Sequence, residues 1–205
     1  MPTLLANGGP VMWLILIAAA TAAVVFIERA LYCHRSQINS AEFLNGVRTV
    51  IKRGNVVEAI AICDATAGPV ARLVKAAILA RELGRERVRE AVEEAGLTEV
   101  PRLEEKLNLL ATIAQLAPLL GLFGTLLGFI DVFGFINHAD AYANFRDLAG
   151  GINKALVCAA SGIAVAIPAH AGYNYLVSRV NKIVLDMERA AAEIVNIVSE
   201  NGTGK

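Results

Sequence analysis

The chain lacks most of what soluble enzymes and nucleic-acid binders are built from. Its three cysteines, Cys33, Cys63 and Cys158, are scattered and form no CxxC pair, which argues against a zinc site and a disulfide framework. It carries no Ser/His/Asp, HExxH, phosphate-loop or paired-carboxylate motif, so enzymatic catalysis has no visible apparatus, and no metal or other cofactor is expected. Basic and acidic residues balance at 19 each. Arg29–Lys106 holds 13 of the basic ones, and Glu28–Glu105 holds 12 acids. That near-neutral mixture gives nucleic-acid binding little support. Charge itself is missing over long stretches. None precedes Glu28, and Leu107–Ile130 and Ala155–Ser178 each run 24 residues without any.

What fills those gaps is apolar. Hydrophobic residues make up 56% of the 205, too many and too clustered for an ordinary soluble domain. At helical rise, 24 residues reach about 36 Å, enough to cross a hydrocarbon core. A third span fits Val11–Ile27 (VMWLILIAAATAAVVFI). Its Ala18–Ala20 run suits a signal-peptide cleavage site, but no basic segment precedes it and the apolar run continues to Glu28. It therefore reads as a retained helix. Positive charge orients the spans. The first ten residues carry no Lys or Arg, the short segment between the second and third spans holds Arg146 alone, and the tail after Ser178 holds four. The N-terminus and short loop are thus expected outside, and the middle region and C-terminus in the cytoplasm.

Along the chain, a first helix is expected from about Pro10 past Glu28. Short helices follow over residues 39–106, with starts at Asn39-Ser40 and Gly54-Asn55, a break at Gly68-Pro69, and ends at Gly84 and Gly96. Arg85–Ala95 reads as a charged surface helix with pairs such as Arg89–Glu93. A helix beginning at Pro101 is expected to continue through the second span to about Phe135. Beyond Gly172, Leu176, Val180, Ile183, Met187, Ala191, Ile194 and Val198 recur at spacings of four and three, an apolar seam extending the third span.

Both long spans carry residues a plain lipid anchor does not need. Gly121, Gly124 and Gly128 lie near one helix face, and the last two form a GxxxG spacing that lets backbones approach. Gly162 is a packing position in the third span, and Pro118 and Pro168 sit inside the two spans, where neighbouring helices accommodate them. Thr125 and Ser161 place hydroxyls in the membrane; each can bond back to its own helix or face a polar interior. Asp131 and Lys154 flank the connecting loop almost symmetrically. They either reach water separately or pair across helices. His170 suits interfacial packing or proton relay, while His34 and His138 occupy juxtamembrane and loop positions.

LATIAQLAPLLGLFGTLLGF (Leu110–Phe129) and GINKALVCAASGIAVAIPAHAGYNY (Gly151–Tyr175), in this order and topology, resemble the ExbB/TolQ/MotA proton-channel family, most closely its ExbB and TolQ branch. Fainter matches are GPVMW at Gly9–Trp13, IER at Ile27–Arg29, and GNVVEAIAIC with Gly68-Pro69. The resemblance implies an all-α membrane protein with three transmembrane helices, long cytoplasmic helical extensions and a helical cytoplasmic domain. The parts would be a periplasmic N-terminus (1–10), transmembrane helix 1 (11–30), cytoplasmic helical region (31–106), transmembrane helix 2 (107–135), periplasmic loop (136–150), transmembrane helix 3 (151–177), and C-terminal helix and tail (178–205). It further implies a bacterial inner-membrane homopentamer around a dimer of a single-span ExbD- or TolR-like partner. That assembly would couple proton or sodium flow to force on the envelope, with a TonB-like or other envelope protein as a further partner. An essential membrane acid would come from the ExbD- or TolR-like helices.

Carried over residue by residue, the resemblance puts Thr125 on the family's pore threonine, with Pro118, Gly121, Gly124 and Gly128 keeping its surroundings. In the third span the family often has an acid where this chain has Lys154, and a threonine where it has Ala159. Thr125, Ala159 and Ser161 are thus the candidate pore or partner-helix positions, and Asp131 and Lys154 the candidate charges at the pore mouth. Five unpaired lysines there would repel cations, and pairing with Asp131 would remove much of that barrier. The rival expectation is a non-conducting membrane scaffold of the same architecture.

Overall fold

The computed structural model describes residues 9–138 and 145–202. Most of the expected N-terminal segment 1–10, residues 139–144 of the expected loop and the last three residues lie outside them. The described residues form helices α1 (Gly9–Ser36), α2 (Ser40–Lys52), α3 (Val56–Ala65), α4 (Pro69–Leu79), α5 (Arg85–Glu104), α6 (Leu107–His138) and α7 (Phe145–Gly202), with a 3₁₀ turn at Arg81–Leu83. No strand occurs among them. This is an all-α membrane protein: α1, α6 and α7 each contain a stretch long and apolar enough to cross a membrane. The chain divides into two compact units. One holds the chain up to Glu28 together with Lys106–Tyr175, and the other holds Arg29–Glu105 with the chain from Leu176 onward.

In the second unit, polar caps set where the short helices begin. Asn39 accepts the Glu42 backbone N–H and donates its amide to the Glu42 carboxylate; Asn55 and Glu58 repeat the arrangement. Each cap satisfies a backbone donor that the first helical turn leaves free. Pro69 opens α4, and Gly68 before it has φ +134° and would bring a Cβ to 3.1 Å from Ser36 O, both of which favour glycine. Leu44, Val47, Val50 and Ile51 of α2, Val70, Leu73, Val74 and Ile78 of α4, and Val88, Val92 and Leu103 of α5 form the core. From α7 come Leu176, Val180, Ile183, Met187, Ala190, Ile194, Ile197 and Val198. Ala190, not the expected Ala191, lies in that seam, because a 4-3-4-3 repeat from Leu176 falls on it.

Two expected boundaries are corrected. Pro101 does not start a helix but lies inside α5, as does Gly96. The missing proline N–H deprives only the Leu97 carbonyl, four residues back; both residues are exposed, so that carbonyl stays open to solvent. The break comes at Glu105–Lys106, where Lys106 adopts φ +63°. Its side chain pairs with Glu28 at 2.5 Å within the first unit. Helix α7 begins at Phe145 and takes Gly150 and Gly151 into the helix.

In the first unit, α6 and α7 run antiparallel along a seam of small residues. A Cβ on Gly128 would meet Ala155 Cβ at 2.8 Å, and one on Gly124 would meet Cys158 Cβ at 2.6 Å. A Cβ on Gly121 would meet Cys158 O at 3.1 Å, and one on Gly162 would meet Ala117 O at 2.6 Å. Backbones this close exclude even a methyl group, and close approach is what drives helix association in lipid. The first segment of α1 covers one side of the pair. Gly9 lies against Lys154, Val11 against Gly124, and Phe26 against Gly172, with the Phe26 and Tyr175 rings 6.4 Å apart. Outward, Trp13, Leu119, Ile130 and Ile163 are exposed, as residues facing lipid or another subunit would be.

Candidate functional site

The seam fixes the rotation of α6 and α7, and therefore where every other side chain on them points. At about 100° per residue, Thr125 lies roughly 70° to one side of the Gly121/Gly124/Gly128 direction. On α7 the seam direction is set by Gly151, Ala155, Cys158 and Gly162, which are buried. From it Ala159 is turned by about 70°, and Ser161 by about 90° in the opposite sense. Because the helices are antiparallel, those senses put Thr125 and Ala159 on the same flank of the pair. Ser161 lies on the other flank, the one α1 covers through Gly124 and Gly172. The three candidate pore positions are therefore not brought together: two share a flank and the third does not.

Asp131 and Lys154 also belong to the α1 side. Lys154 Nζ donates to Asp131 Oδ2 at 2.7 Å, so the two charges pair across helices rather than reaching water separately. The lysine stem also lies over Gly9, where a Cβ would be 2.9 Å from Cε. Gly9 has φ +63°, so both its backbone and this approach favour a residue without a side chain. The pair thus ties α6 to α7 where α1 begins, and turns away from the Thr125 flank.

Thr125 is half-buried and its hydroxyl donates to Leu122 O at 2.6 Å. The bond occupies the hydroxyl proton and leaves the oxygen lone pairs as acceptors. A cation or a protonated group passing this flank would meet an acceptor at Thr125 and only a methyl group at Ala159. Pro118 is half-buried and Pro168 exposed, each inside a continuous helix. His170 is exposed on α7; the side chain of His138 lies outside the described residues.

Two constellations were not singled out in the sequence. Gly151, Ala155 and Cys158 complete the seam around Gly162, and their spacing of four and three was a legible signal. The other is a charge network in the second unit. Glu99, only 4% exposed, accepts from Arg72 at 2.5 Å and Arg102 at 3.0 Å. The equally buried Arg29 donates to Arg102 O at 3.2 Å, pairs with Glu105 at 2.9 Å and lies 5.5 Å from the Tyr32 ring centre. Burial works against the Arg72 charge, but Glu99 and Tyr32 more than offset it and hold its pKa above the ordinary arginine value. Glu99 lies within about 40° of Val88, Val92 and Leu103 on the buried face of α5, and the other acids of that helix are turned from it by about 120° or more, so its place on the apolar stripe was a legible signal.

The model of the MotA/TolQ/ExbB proton channel family matches residues 65–189. The chain is 27% identical over 177 residues to a protein of Methanothermobacter thermautotrophicus named as a biopolymer transport protein ExbB homolog, covering 85% of this chain and 62% of that one. It is 37% identical over 107 residues to the Tol-Pal system protein TolQ of Haemophilus influenzae, covering 52% and 46%. It is 26% identical over 206 residues to the biopolymer transport protein ExbB of Neisseria gonorrhoeae, covering 92% of each. The chain thus spans less than two thirds of the first two relatives and nearly all of the third.

Proposed function

The chain belongs to the MotA/TolQ/ExbB proton channel family, a transport rather than an enzymatic family, and we propose that it is the energiser subunit of an ion-driven motor in the bacterial inner membrane. In this reading five copies surround a dimer of an ExbD- or TolR-like single-span partner, and proton or sodium flow is converted to force on the envelope. A TonB-like or other envelope protein would receive that force. The N-terminus and the loop between α6 and α7 face the periplasm, and the C-terminus faces the cytoplasm. Thr125 lines the ion path together with Ala159, and Lys154 and Asp131 are a paired charge away from it. The observation that carries the reading is the shared flank of Thr125 and Ala159. It is opposite the side α1 covers, as a pore lining must be. A favourable hydrogen bond contributes about 1–1.5 kcal/mol, so Thr125→Val should slow ion passage about tenfold with assembly intact. Undiminished proton flux through reconstituted complexes would remove Thr125 from the path.

A second reading, a non-conducting scaffold of the same architecture, is favoured by one observation: the flank carries a methyl group at Ala159, and the Thr125 hydroxyl is already bonded to Leu122 O. Proteoliposomes loaded with a pH-sensitive dye separate the two, since a scaffold passes no protons with or without the partner.

A further inference from the structure

We propose that His170 is a proton-transfer residue on the same ion path, at the end of the flank nearest Tyr175; this rests on the pore reading above. Ala159 and His170 are separated by eleven positions in the sequence, which at 3.6 residues per turn returns the side chain to within about 20° of the same direction, roughly 16 Å further along. The flank that carries Thr125 and Ala159 therefore also carries the imidazole. Gly128 meets Ala155, Gly121 meets Cys158, and Ala117 meets Gly162. Extending that register places His170 level with the region of Ala111 on α6.

The surroundings leave the ring without a charged neighbour inside the span. Leu107–Ile130 of α6 contains no charge, and Ala111 and Ala114 stand at the level of the ring. On α7 the nearest titratable side chains are Tyr173 and Tyr175, with Asn174 between them. On α1, which covers the other flank, Glu28 is paired with Lys106 at 2.5 Å. His170 is exposed, so within this unit nothing buries it. An ionisable ring directed into hydrocarbon is costly, whereas one on a water-lined flank is not. With two ring nitrogens, the imidazole can take a proton from flank water at one and release one from the other to water at the Tyr175 end. The ring is neither consumed nor oxidised, and one proton enters for each that leaves.

Two measurements on the purified complex in liposomes test this. A water-soluble maleimide should label His170→Cys, against the buried native thiols, and should not label Ala171→Cys, which is turned about 100° away from the flank. Proton flux into dye-loaded vesicles should fall at least tenfold in both His170→Leu and His170→Gln. An unlabelled His170→Cys overturns the proposal. So does wild-type-like flux in both variants, the result expected of a ring that merely reaches interfacial water. A wild-type complex that passes no protons refutes the pore reading and this proposal with it, and is thereby told apart from a failure confined to His170.

Discussion

One added methyl group at position 162 should separate α6 from α7. A Cβ there would lie 2.6 Å from Ala117 O, 2.8 Å from Gly121 Cα and 3.0 Å from Gly121 N. All three are backbone atoms, so no side chain can turn aside, and the helices must part by roughly 0.5–1 Å. A gap of that size forfeits about a quarter to a half of each van der Waals contact worth about 0.1–0.2 kcal/mol. Over a few tens of atom pairs along the seam the loss is about 1–3 kcal/mol, the range found for overpacked cores. Alanine also gains about 1 kcal/mol of helix propensity over glycine, which Gly150→Ala isolates, because nothing lies within 4 Å of its added Cβ. Reversible SDS titration in mixed micelles should therefore place Gly162→Ala about 1–3 kcal/mol below Gly150→Ala on the same helix. The seam also makes a rescue specific. Gly124→Ala collides with Cys158 Cβ and Sγ, so Cys158→Gly should restore it, whereas no side-chain change should restore Gly162→Ala. Equal stability of Gly162→Ala and Gly150→Ala would refute the close approach on which the rotation of both helices, and hence the shared flank, depends.

Asp131→Asn and Lys154→Met should each destabilise the helix bundle, and the double variant should lose less than their sum. A coupling of about 0.2–1 kcal/mol is expected for a partly exposed pair, and strict additivity in the cycle would show that the 2.7 Å contact contributes nothing. Cys63 gives a pH signature in the second unit. Burial, with Asp64 adding and Lys75 opposing, pushes its thiol up to about 11 from an ordinary value of 9.0. The folded chain therefore holds the proton where the unfolded chain has lost it. The stabilisation is complete below about pH 9 and disappears as pH rises through 11, about 2–3 kcal/mol in all at 1.36 kcal/mol per pKa unit. Cys63→Ala should flatten that alkaline slope in denaturant titrations; an unchanged slope would assign it to other groups. Glu99→Gln should cost about 1–2 kcal/mol, since it weakens two charge-assisted hydrogen bonds while the half-exposed Arg72 and Arg102 keep their hydration, and a loss under about 0.5 kcal/mol would show the network to be incidental.

Much of the fold was legible because charge and periodicity report burial directly. The apolar spans, the caps at Asn39 and Asn55 and the break at Gly68-Pro69 rest on local chemistry, and the structure has each of them. What misled was also local. Pro101 carries a strong start signal, yet α5 runs through it, because a single exposed carbonyl is a small loss for a helix already packed through Val88, Val92 and Leu103. The true break at Lys106 uses a left-handed residue that is not glycine, a conformation no spacing rule indicates. Glu99 was legible only in part. Its place on the stripe of Val88, Val92 and Leu103 marks it for burial, but its partner Arg72 is 27 residues away and is set by tertiary packing.

The two departures in α7 change meaning once the rotation of the helices is known. By the family resemblance, Lys154 and Ala159 both read as losses in a pore helix, one adding a repelling charge and the other removing a hydroxyl. They lie five positions apart, about 500°, or 140° after a full turn, and so cannot face the same way. The seam assigns Lys154 to the α1 side, where Asp131 neutralises it. Ala159 alone remains on the Thr125 flank. A chain that conducts must make good one missing hydroxyl rather than also overcome a ring of positive charge. Ala159→Thr is accordingly the substitution expected to raise flux, while Lys154→Glu should instead set two carboxylates against each other at Asp131 and weaken the bundle.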